Sequence, residues 1–214
     1  DFAALQELTN QYSGQFIGIT AATDLWGHSL PAYIDSLSLP VGTVALTNRS
    51  QDFTVKKAVD IKRSFMEIKE WPAIASLDAK ARYTNETKDS VTVTLNTRFA
   101  YEAAGVDMRL ALVAMEHGMV DGASNFSEVY MATGFYPADA WGGVKGSIPA
   151  EVNTTDEYSY TLTIKPQYRK ELTLVGLLID GETGEICNAV AVHQNEIAPI
   201  DGVIVPSEIV LECE

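Results

Sequence analysis

Apolar and polar residues alternate in three different rhythms along the chain, and each rhythm predicts its own kind of element. Residues 2 to 12, FAALQELTNQY, put Phe2, Leu5, Leu8 and Tyr12 on one helical stripe, with Ser13-Gly14 as a stop signal. FIGITAA, residues 16 to 22, is a short apolar run without helical period, which predicts a buried strand. LPAYIDSLS from Leu30 predicts a second helix, and Thr43 to Leu46 a short strand after the punctuation of Pro40 and Gly42. Residues 53 to 70 space Val55, Val59, Ile61, Phe65 and Ile68 for a third helix. Helix, strand, helix, strand, helix describes a small α/β layer.

From Trp71-Pro72 the period becomes two. Ala73, Ala75, Leu77, Ala79, Ala81 and Tyr83 face one way, and Ser76, Asp78, Lys80 and Arg82 the other. After the turn-forming TNETKD, Val91, Val93, Leu95, Phe99 and Tyr101 share a face opposite Thr92, Thr94, Asn96 and Arg98. The two runs read as antiparallel neighbours. Further strands are predicted at Met108 to Glu116, Glu128 to Ala132, Tyr158 to Lys165, Leu172 to Asp180 and Glu185 to His193, the last two joined by a GETG hairpin. About seven strands make a β-sandwich the economical architecture. The expected division is an α/β lobe over residues 1–70, a β-sandwich over 71–200, and a tail or last strand over 201–214.

Charge follows the same boundary. The 214 residues carry 15 basic and 29 acidic side chains for a formal charge of −14. Residues 1–71 hold 6 basic and 8 acidic residues, leaving 9 and 21 to the rest. Such a field repels phosphate backbones and anionic lipid head groups, so nucleic acid is not an expected partner. A solvated acidic surface explains the excess, with calcium the rival, but no D-x-D-x-D-G loop marks a metal site. No run approaches the roughly 18 to 20 apolar residues of a membrane-spanning helix.

The chemistry-bearing residues are sparse. Cys187 sits in a strand-like run and Cys213 in the tail; a disulfide between them is open, and a small buried Cys187 is the plainer reading. His28, His117 and His193 are scattered without a second ligand at i+3 or i+4. Glu116-His117 is the one acid–imidazole neighbour pair at a strand end. No G-x-S-x-G elbow, H-E-x-x-H, P-loop or G-x-G-x-x-G occurs, so the chain reads as non-enzymatic, with no catalytic residue, metal or cofactor expected. The segment Gly134 to Gly143 reads as a loop whose Phe135, Tyr136 and Trp141 form an amphipathic contact surface or cap one end of the sandwich. Trp26, beside His28, is a weaker candidate of the same sort. Four N-x-S/T sequons fall at Asn48, Asn85, Asn125 and Asn153.

The order LALVAMEHGMV, NFSEVYMATGFYP, WGGVKGSIP, YSYTLTI and the terminal hairpin ELTLVGLLIDGETGEICNAVAV resembles the Bacteroidetes outer membrane protein twenty-eight related family. Leu39-Pro40-Val41-Gly42-Thr43 followed by Asn48-Arg49 looks like the proline segment of that family's thioredoxin-like domain. The resemblance implies an α+β fold, a truncated thioredoxin-like α/β lobe followed by an antiparallel β-sandwich. It also implies a bacterial protein, in which the sequons are coincidental. Here the chain begins inside the first helix, so the family's redox pair has no residues to occupy it, and without a dithiol no disulfide exchange is expected. By the same resemblance the expected setting is the cell outer membrane, surface-exposed, held through a lipidated segment upstream of Asp1. The implied partners are an outer-membrane β-barrel transporter and its lid lipoprotein in a Sus-type nutrient importer. A free-standing surface adhesin or host-protein binder is the alternative.

Overall fold

The structure, a computed structural model, describes residues 2–19, 44–45, 53–54, 58–101, 106–116, 119–120, 127–128, 131–136, 152–153, 155–164, 171–183 and 185–200. Helix α1 (Phe2–Gln11) ends where expected. Gly14 takes a left-handed φ of 78°, and the N–H groups of Gln15 and Phe16 both bond to the Tyr12 carbonyl, closing the helix. Helix α2 (Ala58–Ile68) buries Ile61, Phe65 and Ile68, a stripe at i, i+4 and i+7, and leaves Val59 exposed off the stripe. The helices share a small core of Leu8, Ile61 and Phe65, with the Tyr12 and Phe16 rings against Phe65 at centroid distances of 4.9 and 5.2 Å.

Between the helices, β1 (Val44–Ala45) falls on the expected strand and pairs antiparallel with β2 (Phe53–Thr54). That pairing corrects the start of the third helix. An aromatic and a β-branched residue satisfy their backbone groups in a ladder, and helix begins at Ala58. Phe16 to Ile19 lie outside any strand, although FIGITAA predicts one. Their apolar character serves side-chain packing instead: Phe16 joins the helical core, and Ile17 and Ile19 lie on the sandwich. The helix predicted from Leu30, with Trp26, His28 and Pro40, lies outside the described residues.

The sandwich has two antiparallel sheets. Strands β3 (Ala75–Tyr83), β4 (Ser90–Phe99) and β9 (Thr155–Thr163) form one, in the order β3-β4-β9. Strands β5 (Met108–Glu116), β8 (Met131–Tyr136), β10 (Thr173–Asp180) and β11 (Ile186–His193) form the other, in the order β11-β10-β5-β8. A small pair, β6 (Met119–Val120) and β7 (Ser127–Glu128), connects β5 to β8. The β3–β4 register sets Ala75 opposite Phe99 and Tyr83 opposite Val91, as the two alternating runs require. The main core lies between the sheets, with Leu77, Val91, Val93, Leu95, Phe99 and Leu162 meeting Leu110, Leu112, Leu174, Leu178 and Val192.

Two strand readings change. β4 stops at Phe99, Ala100 turns its N–H to the Ile74 carbonyl, and Tyr101 is 59% exposed rather than part of the buried face. The strand expected at Glu128 to Ala132 is divided between β7 and β8, and β8 runs on to Tyr136. Its register against β5 steps from Met115 opposite Ala132 to Ala114 opposite Gly134, a bulge that admits the glycine which reads as a loop signal.

Candidate functional site

Strands β3, β9, β5 and β11 begin, and β4 and β10 end, at one pole of the sandwich; the opposite pole holds Tyr83, Thr173 and His193. The alignment of the two sheets is fixed by the Asn188 side-chain amide, which donates to the Ala75 carbonyl at 2.8 Å, and by the Tyr83 N–H, which donates to Ala198 at 3.0 Å.

At the first pole four large apolar side chains stand in solvent: Trp71 at 51%, Tyr101 at 59%, Val106 at 38% and Val152 at 41% exposure. They come from three connections. Trp71 lies between α2 and β3, Tyr101 follows β4, Val106 precedes β5, and Val152 makes a bridge to Phe99 just before β9. Two contacts tie the turns next to Val152 and Val106. Arg98 donates to Asn153 Oδ1 at 3.3 Å, and the Gly181 N–H donates to the Asp107 carbonyl at 2.7 Å. Arg109 pairs with Asp107, and this hydrogen bond, ahead of the field of both Asp107 and Asp180, holds the guanidinium charged above its ordinary range.

Phe135 and Tyr136 are not on a loop. They pair with Val113 and Leu112 in the β8–β5 ladder, because aromatic residues with an open sheet edge beside them extend the strand. β8 runs toward the pole of Trp71 and Tyr101, and Val152 sits there; residues 137–151 lie outside the described residues. Trp141 is among them, and Trp26 also lies outside the described residues. Trp71 and Tyr101 carry no signal of function in the pattern. The alternation places Tyr101 on the buried face of its strand, and only the junction before Pro72 marks Trp71.

The opposite pole is polar. His193 Nδ1 meets Thr173 Oγ1 at 3.3 Å, while Glu196 accepts the His193 backbone N–H at 2.7 Å and so reaches the main chain rather than the ring. Thr173 is buried at 3% exposure, so this hydroxyl–imidazole pair braces the β10–β11 edge, with the His193 ring on its solvent side. A groove of about 630 Å³ opens beside it, bordered by Tyr83, Lys88 and Glu171. Glu116 ends β5 at this pole on the inward parity of Leu110, Leu112 and Ala114, with 1% exposure and no partner for Oε1. Burial pushes its carboxyl up to about 7. His117, its neighbour in sequence, lies outside the described residues, as does Cys213. Cys187 is half-buried against the main core, its Sγ 3.7 Å from the Glu185 carbonyl oxygen. Among the described residues no three His, Cys, Asp or Glu side chains gather to hold a metal, and no described helix is long and apolar enough to cross a membrane.

No family model and no curated protein matches the sequence. Among solved structures, the chain is similar to HBP35 of Porphyromonas gingivalis, with a TM-score of 0.58 and 13% identity over 77% of this chain. The likeness is one of fold. It covers 55% of HBP35, so this chain spans about half the length of that protein. A domain of the outer membrane lipoprotein Omp28 from Porphyromonas gingivalis aligns over 60% of this chain and 91% of its own, with 20% identity and a TM-score of 0.38.

Proposed function

We propose that this chain is a non-enzymatic binding module of a bacterial cell-surface lipoprotein, acting as an accessory subunit of a Sus-type outer-membrane importer of peptides or glycans. The observation that carries the reading is the gathering of Trp71, Tyr101, Val106 and Val152 at one pole. Two aromatic rings half in water, each with an apolar body and a polar edge, are the side chains that anchor protein interfaces. Three separate connections present them, so the surface is positioned by the sandwich and not by one flexible segment. In this reading the partners are the β-barrel transporter and its lid lipoprotein, and the membrane is reached through a lipid anchor upstream of Asp1. The sequence resemblance to the outer membrane protein twenty-eight related family supports that setting.

The test is extraction of the native protein in mild detergent, with identification of co-eluting chains and the intact mass. A β-barrel and its lid co-eluting with the unaltered protein, and lost with Trp71→Ala/Tyr101→Ala, is the expected result. Elution without a barrel contradicts the importer role. The route of β8 and Val152 to the same pole favours one second reading, an adhesin in which the 137–151 connection contributes. Tyr136→Ala/Trp141→Ala then abolishes adhesion while the fold persists.

A further inference from the structure

We propose that the groove at the His193 pole binds the C-terminal carboxylate of a peptide, with Lys88 as its cation. This site lies at the opposite pole from the partner surface and does not depend on it. In a chain with nearly twice as many acids as bases, Lys88 makes no ion pair among the described residues. Its ammonium instead stands 5.4 Å from the centroid of the Tyr83 ring, at the groove's edge. A ring face holds a cation in place yet satisfies none of its three N–H donors, so the charge is positioned and available.

The backbone is spent on this arrangement. Lys88 and Glu171, on two separate turns that border the groove, both adopt left-handed φ angles of 55° and 54°. Each costs a residue with a Cβ about 1 kcal/mol or more, and neither is glycine. His193 adds a second polar group: Nδ1 lies 3.3 Å from Thr173 Oγ1, which fixes the ring and leaves Nε2 for a ligand, as a donor in the tautomer where the Thr173 hydroxyl donates to Nδ1. Gln194 is fixed in the same way, its Oε1 accepting the Leu172 N–H at 3.0 Å, so its amide nitrogen is left to donate. Leu172 and Pro199 add apolar lining for the ligand's terminal side chain. Glu171 supplies an acceptor for an amide N–H, which a peptide has and a simple sugar acid lacks.

The experiment is calorimetric titration of the whole chain with N-acetyl-Leu-Leu, its C-terminal amide, and glucuronate. Lys88→Asn is the variant, since Asn accepts the left-handed backbone and the fold is retained. The expected result is binding of the peptide acid, loss of binding for the amide, and about tenfold weaker binding by Lys88→Asn, equivalent to about 1.4 kcal/mol. The melting temperature of the variant stays at that of the parent. Equal binding of acid and amide, unchanged affinity in Lys88→Asn, or no binding of the peptide acid at millimolar concentration overturns the proposal. Glucuronate binding more tightly than the peptide overturns the assignment to a peptide.

Discussion

The two sheets of the sandwich share an interior and differ on their outer faces. Outside β3-β4-β9, Thr92 and Thr94 bond across the strands to Thr161 and Ser159 at 3.0 and 2.8 Å in open water. Outside β11-β10-β5-β8, Val175, Leu177 and Ile179 are as buried as the residues facing the core, and Ile17 and Ile19 from the N-terminal lobe lie on them. The first sheet has one interior and the second has two. Alternation in sequence marks the former and a continuous apolar run the latter. The N-terminal lobe therefore completes the sandwich, and the hydrophobic effect binds the two together at about 25 cal/mol per Å² of apolar surface covered.

The comparison breaks most visibly by placing a carboxylate at matching positions on the two outer faces. Val175→Asp buries an unpaired charge and is expected to cost about 4 kcal/mol or more, whereas Thr94→Asp stays within about 0.5 kcal/mol, both read by urea unfolding. Equal losses would mean that the second interior does not exist. Next in size is the close approach of the sheets at Gly176, where an added Cβ would lie 2.6 Å from Leu95 Cδ2 and 3.2 Å from Val190 Cγ1. Gly176→Ala is expected to cost about 1 to 3 kcal/mol, with part recovered in Gly176→Ala/Leu95→Val, because the added methyl takes the space the smaller side chain vacates.

Glu116 sharpens the comparison from within the shared interior. Its carboxyl is held protonated in the folded chain up to about pH 7, against an ordinary 4.5. Stability from this group is complete below 4.5 and is lost as pH rises through 7, at no more than about 1.4 kcal/mol per pH unit. Glu116→Gln removes that decline, so thermal melts of variant and parent should agree at pH 4 and favour the variant at pH 8. A parent curve flat across this window would place the carboxyl in water. The smallest effect belongs to the lobe. Gly14 has open space around an added Cβ but a φ of 78°, so Gly14→Ala costs backbone strain alone, about 1 kcal/mol, in the same unfolding measurement.

Legibility in the sequence follows the same physics. The β3 and β4 runs and the terminal hairpin are plain, because one face meets water and the other does not, and Asp180 Oδ1 caps the turn by accepting the N–H groups of Glu182 and Thr183. Phe53-Thr54 and Phe135-Tyr136 are misread because their state depends on a partner strand that no local pattern announces. Phe16 to Ile19 show the limit of an apolar run: it signals burial but does not say whether by ladder or by side chain. Glu116 is legible by parity, four inward positions on the same strand preceding it, yet its lack of a partner is a tertiary fact. The two poles are the least legible, since the exposed residues of the first come from three connections separated by 30 to 50 residues, Trp71, the Tyr101–Val106 segment and Val152, and Lys88 and Glu171 from two turns far apart.

The pole of Trp71 and Tyr101 carries the functional reading, and oxidative footprinting of those two rings tests it most directly. Labelling is measured on the protein in its native membrane and again on the purified chain. Protection of Trp71 and Tyr101 in the membrane, with the outer face of β3-β4-β9 labelled alike in both, is the predicted result. Equal labelling of both rings in the two states would contradict a partner at this pole.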